Sequence, residues 1–512
     1  MQNALTIPQI LSSAAEADWA LAAPERDPLS HGGLRAQINA IAESLARFGI
    51  GRGARVAIVL SNGPAMASAF LGVATAASAA PLNPAYRAEE FDFYLSDLDA
   101  AAVIADAANP GPVAEAARAR NIPLIGLSEG EGAGLIDLVA TTSVRCVEAV
   151  APRPDDEALV LHTSGTTSRP KIVPLSHANL CASARNIRAA LQLTHVDRCL
   201  NVMPLFHIHG LMAATLASLS AGASVFCAPG FDALRFYAWL SESQATWYTA
   251  VPTMHQAILG RAPRNAERIA AAGLRMIRSS SASLAPPILA ELEETFGVPV
   301  IESYGMTEAA HQMASNALPP GARKPGTVGP AAGPDIAILD EAGRVAPAPD
   351  VAGEVVIRGD NVTAGYENNP AANKDGFIDG WFRTGDQGIL DADGYLTITG
   401  RLKEIINRAG EKISPREVDE VLLGCPGVAQ VVTFAVQHAK LGEDVAAAVV
   451  LDEGSAATER GIRDYAAERL APFKVPRKVV VLDEIPRGPT GKLQRIGLAE
   501  TLGLAPAGDT KS

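Results

Sequence analysis

Short apolar runs alternate with stretches of helical spacing through the first half of this chain, and that alternation constrains the fold more than any other feature. Leu34, Ile38, Ile41 and Leu45 recur at the interval of one helix face. Arg55–Leu60, RVAIVL, follows as a buried strand. The spacing then predicts a helix over 65–77, a strand over 100–105, a helix over 113–120 and a strand over 122–127. A strand that is apolar on both faces needs cover on both sides, and helical crossovers between parallel strands supply it. The chain is therefore expected to be α/β.

The pattern changes between Gly326 and Thr399. Strands at 336–339 and 353–358 are punctuated by Gly, Pro and Asp, which reads as a β-rich subdomain. A boundary is expected at Gly400-Arg401-Leu402-Lys403, giving a large domain over 1–400 and a small α+β domain over 401–512. The remaining stretch of about 110 residues suits a small domain. Ser414-Pro415-Arg416-Glu417 reads as a capping box with proline at the first helical position, and the helix should run to about Gly424. Strands over 428–436 and 445–451, a helix over 459–470 and a strand over 478–482 complete it.

A net charge of −13 disfavours nucleic acid and anionic membrane as partners, so an anionic substrate needs a local basic site. Five scattered cysteines without a CxxC suit buried thiols in a reducing cytoplasm better than disulfides or zinc. The most apolar stretch, 65–82, is interrupted by Ser, Thr and Gly and reads as a buried helix, not a membrane span. No signal peptide is apparent at the N-terminus. A cytoplasmic enzyme is the expectation.

The segment 161–174, LHTSGTTSRPKIVP, follows an apolar run with hydroxyls, a glycine and two cations. Backbone N–H groups and the hydroxyls of Thr163, Ser164, Thr166 and Thr167 can wrap phosphate oxygens, with Gly165 allowing close approach. Lys171 adds a point charge. It is not a Walker A loop, which places glycine directly before Lys-Ser/Thr. Taken alone, such a segment also reads as a solvated Ser/Thr loop. Two other matches lack their context. Gly49–Ala54 fits a dinucleotide fingerprint but follows a helix and precedes a strand. Gly126–Gly130 fits a nucleophile elbow, but a Gly-rich stretch follows it where a helix is required.

The loop is the first of an ordered set. After it come Met203-Pro-Leu-Phe-His207-Ile-His209-Gly210, Ser279–Leu284, Glu302–Glu308, Gly380–Asp386, Gly400–Lys403, Gly410-Glu-Lys412 and Pro489-Thr-Gly-Lys492. Together they resemble the adenylate-forming acyl-CoA ligases over nearly the whole chain. The resemblance implies a large N-terminal adenylation domain, a small mobile C-terminal domain, and the use of ATP, Mg²⁺ and coenzyme A on a small carboxylate. It implies that Thr163, Ser164, Gly165, Thr166, Thr167 and Lys171 grip pyrophosphate. Glu308 would hold Mg²⁺, with Thr163 beside it, and Thr307 would stand next to the reacting groups. Tyr304 would stack on adenine. Ser281, Ala282 and the backbone of Glu302, Ser303, Gly305 and Met306 would line the nucleotide and acyl pocket. Asp386 would hold the ribose hydroxyls with Arg401 near it. Lys403 would be the hinge, and Gly410 would flank the pantetheine path. Lys492 would bridge carboxylate and α-phosphate, offsetting the repulsion of two anions.

Longer strings at 162–171, 245–255, 278–284 and 306–316 resemble the oxalate–CoA ligases within that family. A small dianion needs a short polar pocket with donors for its second carboxylate. The candidates are His207, Ser281 and His311, with His209, Arg278 and Asn316 also considered. Gly305 stands where alanine is also familiar, and is expected to enlarge the pocket slightly. Rival readings are a malonate–CoA ligase, a 4-coumarate-like ligase, a luciferase-like oxidative enzyme that shares the adenylation step, and a degenerate nucleotide-binding protein without catalysis.

Overall fold

The computed structural model describes residues 5–140, 146–163, 170–340, 342–346, 349–438, 440–486 and 495–504. The chain divides into two compact units. One holds 1–336, 357–382 and 393–396; the other holds 337–356, 383–392 and 397–512.

The first unit is built on two sheets of the same design. In one, the strand order is Ile136–Ala140, Leu124–Glu129, Ala102–Asp106, Arg55–Val59, Ser78–Pro81, Glu157–Thr163, Lys171–Ser176. The central pairs are parallel, and the strand at each edge is antiparallel to its neighbour. In the other, the order is His311–Ser315, Val300–Met306, Met276–Ser279, Trp247–Ala250, Arg198–Asn201, Ser224–Cys227, Trp19–Ala23, Arg26–Ser30. It too is parallel in the middle and antiparallel at both edges. Parallel strands need long crossovers, whereas an antiparallel edge needs only a short return. Two of these short returns carry the loops singled out above.

The α/β expectation is borne out, element by element, to within a few residues. The helix carrying Leu34, Ile38, Ile41 and Leu45 spans His31–Arg47 and buries all four. The apolar stretch after Pro64 forms the helix Pro64–Ala76, buried from Pro64 through Ala74, and continues into the strand Ser78–Pro81. A helix apolar all round belongs inside the core. It lies close against His31–Arg47 because Gly72 has no side chain: a Cβ there would stand 2.6 Å from Ile41. Among the described residues no helix is long and apolar enough to cross a membrane. Cys181, Cys199, Cys227 and Cys425 are buried thiols, but Cys146 is exposed, contrary to expectation, because it lies outside the core elements.

A further sheet is made of Asp335–Leu339, Val345–Ala346, Ala352–Arg358, Phe377–Ile378, Trp381–Leu390 and Leu396–Arg401. Within the second unit, Ile406–Arg408, Glu411–Ile413, Val428–His438, Gly442–Leu451 and Lys478–Val481 form a five-stranded sheet. Helices Pro415–Leu423 and Glu459–Ala467 bury Val418, Leu422, Ile462 and Ala466 in the same core as Val445, Ala447 and Val449. The Ser414 hydroxyl caps its helix by accepting from Glu417 N–H. The reciprocal half of the expected capping box is replaced: the Glu417 carboxylate binds Lys474 Nζ at 2.6 and 2.7 Å. A full charge is the stronger partner for a carboxylate than one amide.

Candidate active site

Thr163 ends one strand of the edge hairpin, and Lys171 faces it across the ladder. Ser164, Gly165, Thr166 and Thr167 lie outside the described residues. Lys171 Nζ sits 4.2 Å over the ring of Tyr366, and the Tyr366 hydroxyl donates to Glu308 Oε1 at 2.8 Å. One ring thus links the loop lysine to a carboxylate that is only 6% exposed. A cation over a ring face gains about 0.5–2 kcal/mol, and a hydrogen bond fixes the orientation of the buried carboxylate. Tyr366 was not singled out in the sequence. Its only local signal is Gly365-Tyr366, which follows Thr363, a residue whose N–H donates to the Glu308 carbonyl at 2.7 Å.

Glu302, Ser303, Tyr304, Gly305 and Met306 run along the strand Val300–Met306, and Thr307 and Glu308 follow in the single 3₁₀ turn Thr307–Ala309. The chain then reverses through two left-handed residues, Ala310 at φ 45° and His311 at φ 99°. Neither is glycine, so this reversal is strained, a feature that clusters at functional sites. Glu302 is buried and its Oε1 accepts from Leu284 N–H at 3.2 Å. Tyr304 is half-buried against the large core. Gly305 does not enlarge a pocket. A Cβ there would overlap the His311 carbonyl oxygen and stand 2.9 Å from His311 Nδ1. The space that glycine leaves is filled by the returning strand.

The polar cluster forms around Arg278, on the strand Met276–Ser279, which is wholly buried. Its Nη1 is 3.3 Å from His209 Nε2 and 3.4 Å from Thr249 Oγ1. Its Nη2 is 3.3 Å from His311 Nε2 and 3.5 Å from Gln312 Oε1. The rings of His209 and His311 stack with centroids 5.0 Å apart. His209 Nδ1 lies 2.9 Å from Ser281 Oγ, and His209 Nε2 lies 2.7 Å from Thr249 Oγ1. Burial pulls the Arg278 guanidinium down to about 9, which leaves it a cation at neutral pH. His209 opens the π-helix His209–Leu216, a wide turn often used to aim functional groups. Gly210 lets that turn approach the chain closely, since a Cβ would overlap the Pro204 carbonyl oxygen. His209 and His311 are each about 1% exposed, while His207 and Ser281 keep more surface. Ser281 sits at φ 71°, and Ala282 beside it is exposed. Asn316 lies apart from this cluster's hydrogen bonds: its Nδ2 donates to the Thr327 carbonyl at 2.7 Å, and its Oδ1 accepts from Lys324 N–H at 3.3 Å. Thr249 and Gln312 are members that the sequence reading did not single out.

In the second unit, Asp386 is buried at 5% exposure and accepts from Arg401 Nε at 3.1 Å. Gly385, at φ 74°, precedes it inside the strand Trp381–Leu390, and its carbonyl accepts from Leu402 N–H at 2.9 Å. Lys403 is exposed. Ala409 and Gly410, at φ 52° and 94°, form the two-residue turn of a hairpin, with Lys412 exposed on its return strand. Two consecutive positive φ values are what such a turn demands. Lys492 lies outside the described residues.

A doubly sheeted α/β unit together with a small α+β unit is the architecture of the adenylate-forming class of protein. The chain belongs to the AMP-binding enzyme family, whose model matches residues 13–367, with the AMP-binding enzyme C-terminal domain matched over 417–492. It is 49% identical to an oxalate–CoA ligase of Arabidopsis thaliana over 475 residues, covering 91% of this chain and 92% of the relative. It is 40% identical to an oxalate–CoA ligase of Saccharomyces cerevisiae, covering 87% and 86%. The structure of ATP-bound MatB from Rhodopseudomonas palustris superposes with a TM-score of 0.87 at 30% identity, covering 97% of this chain and 98% of that one.

Proposed function

We propose that this protein is an AMP-forming acid–thiol ligase that activates oxalate and passes it to coenzyme A. The observation that supports the substrate best is the cluster of Arg278, His209, His311 and Ser281, which is short, polar and cationic. An aromatic or long apolar acid has no use for a buried cation, whereas a small dianion does. The names carried by the plant and yeast relatives point the same way.

In the first step one carboxylate oxygen attacks the α-phosphorus of ATP and pyrophosphate leaves. In the second, the thiol of coenzyme A attacks the acyl carbonyl and AMP leaves. His207 and Ser281 meet the acid, with His209 and His311 behind them. Thr163, Ser164, Gly165, Thr166, Thr167 and Lys171 hold the departing pyrophosphate. Tyr304 stacks on the adenine, and Asp386 with Arg401 holds the ribose. The buried Glu308 is the hard oxygen donor that would hold Mg²⁺ carried by the phosphates, and the ion would supply neutralisation of phosphate charge. Tyr366 keeps that oxygen in place. Lys492 provides the mobile cation that adenylation needs and thioester formation does not. The assigned division is a large domain over 1–400 and a mobile one over 401–512, pivoting at Lys403, so that one chain assembles two sites in turn. Gly410 then flanks the path of the thiol.

The test is AMP release with ATP, Mg²⁺ and coenzyme A against oxalate, malonate, succinate, acetate and 4-coumarate. Turnover confined to oxalate is expected. Preference for another acid would overturn the substrate and keep the chemistry, and no AMP with any acid would overturn both.

A further inference from the structure

Arg278 occupies an unusual position. It is a wholly buried cation, and its hydrogen-bond partners among the described residues are two imidazoles, a hydroxyl and an amide oxygen. None of these is an anion. With no exposed surface, the guanidinium does not reach an acid directly. It reaches the acid's neighbours.

A guanidinium has only donors. A ring nitrogen facing it must therefore present a lone pair. His209 Nε2 and His311 Nε2 both face it, at 3.3 Å each, from opposite ends of one fork. Thr249 fits the same assignment: its oxygen takes an Arg278 N–H at 3.4 Å and its proton goes to His209 Nε2 at 2.7 Å. A neutral imidazole with Nε2 bare carries its proton on Nδ1. For His209 that proton points at Ser281 Oγ, 2.9 Å away. The serine oxygen is then an acceptor on its inner side, and its own proton is released outward.

We infer that Arg278 is a positioning residue that locks His209 and His311 in the neutral, Nδ1-protonated form, so that His209 donates to Ser281 Oγ and the Ser281 hydroxyl proton is turned outward as the donor to the second carboxylate of the acid. The inference rests on the dicarboxylate reading for its purpose but not for its geometry. The lock exists before any ligand arrives.

The experiment uses the full chain labelled with ¹⁵N-histidine, free of ligand, with nitrogen shifts and long-range proton couplings reporting the tautomer of each ring. Loss of a signal set in His209→Gln and in His311→Gln assigns the two rings. Both are expected to show a bare Nε2 and a protonated Nδ1 at pH 7. In Arg278→Met at least one ring should move to the Nε2-protonated form. In the same variant, kcat/KM for the acid should fall more than tenfold while KM for ATP stays within twofold. Arg278→Lys, with one point donor in place of a fork, should hold one ring and release the other.

An Nε2-protonated His209 or His311 in the unmodified protein would overturn the inference. So would tautomers unchanged in a folded Arg278→Met. If that variant does not fold, the unmodified protein's tautomers still decide. Use of another acid in the substrate panel would leave the tautomer result untouched, so failure of the substrate reading and failure of the lock are separable.

Discussion

Gly305→Ala tests how the site is built, because it adds one methyl group at a place where the backbone has no room. The new Cβ would overlap the His311 carbonyl oxygen and stand 2.6 Å from the His311 carbonyl carbon and 2.9 Å from Nδ1. Carbon atoms in good contact lie about 3.5–4.0 Å apart, so the two strands must part by about 1 Å. The clash is with main chain, which cannot rotate away as a side-chain end would. Gly305 pairs with Gln312, and the ladder is already irregular between Tyr304 and Gly305. Overpacking of this kind costs about 1–3 kcal/mol. The same displacement carries His311 away from Arg278, whose 3.3 Å contact with Nε2 is near its limit. A shift of about 1 Å in a positioning group costs roughly a hundredfold in rate. The expected result is a fall of about ten- to a hundredfold in kcat/KM for the acid, a smaller change for ATP, and a lower urea midpoint. Steady-state kinetics with each substrate varied in turn, beside urea denaturation, reads all three. An alanine variant with unchanged kinetics and midpoint would refute the claim that this glycine is there to admit the returning strand.

Lys492→Ala should abolish AMP formation from ATP and acid while leaving the conversion of supplied acyl-adenylate to thioester largely intact. Single-turnover assays of each half-reaction check this, and loss of both would remove the role assigned to Lys492. Tyr366→Phe keeps the ring under Lys171 and removes one hydrogen bond from the buried Glu308, a loss of about 1–3 kcal/mol. The Mg²⁺ concentration for half-maximal rate should rise about tenfold, and an unchanged Mg²⁺ titration would show that Glu308 is oriented without the tyrosine. Burial holds His255 down to about 3 and His177 down to about 4, against an unfolded value of 6.5. Both bind fewer protons folded than unfolded over that window. Their contribution is therefore complete above pH 6.5 and lost as pH falls toward 4. Each should withdraw about 2 kcal/mol between pH 7 and 5. Urea melts at pH 7, 6 and 5 should show this, with a shallower slope in His255→Phe; equal slopes would contradict the assignment to His255.

Periodicity and turn chemistry alone determined much of this molecule. The face of Leu34, Ile38, Ile41 and Leu45, the run RVAIVL and the cap at Ser414 are local patterns, and each became the element expected because local geometry and burial demanded the same thing. The ordered motifs likewise marked the loop at 163–171, the turn at Glu308 and the aspartate at 386 before any fold was known. Only the tertiary structure decided what stands beside what. Arg278 and His311 are separated by a crossover and a strand, and no spacing rule reports that one guanidinium spans His209 and His311. Tyr366 lies 58 residues from the carboxylate it holds. Gly305 looked like added space in the sequence, yet in three dimensions the space belongs to a neighbouring strand. A sequence lists which donors, acceptors and volumes a chain owns. Pairing across a sheet is non-local, so it alone assigns the proton on an imidazole and the room for a methyl group.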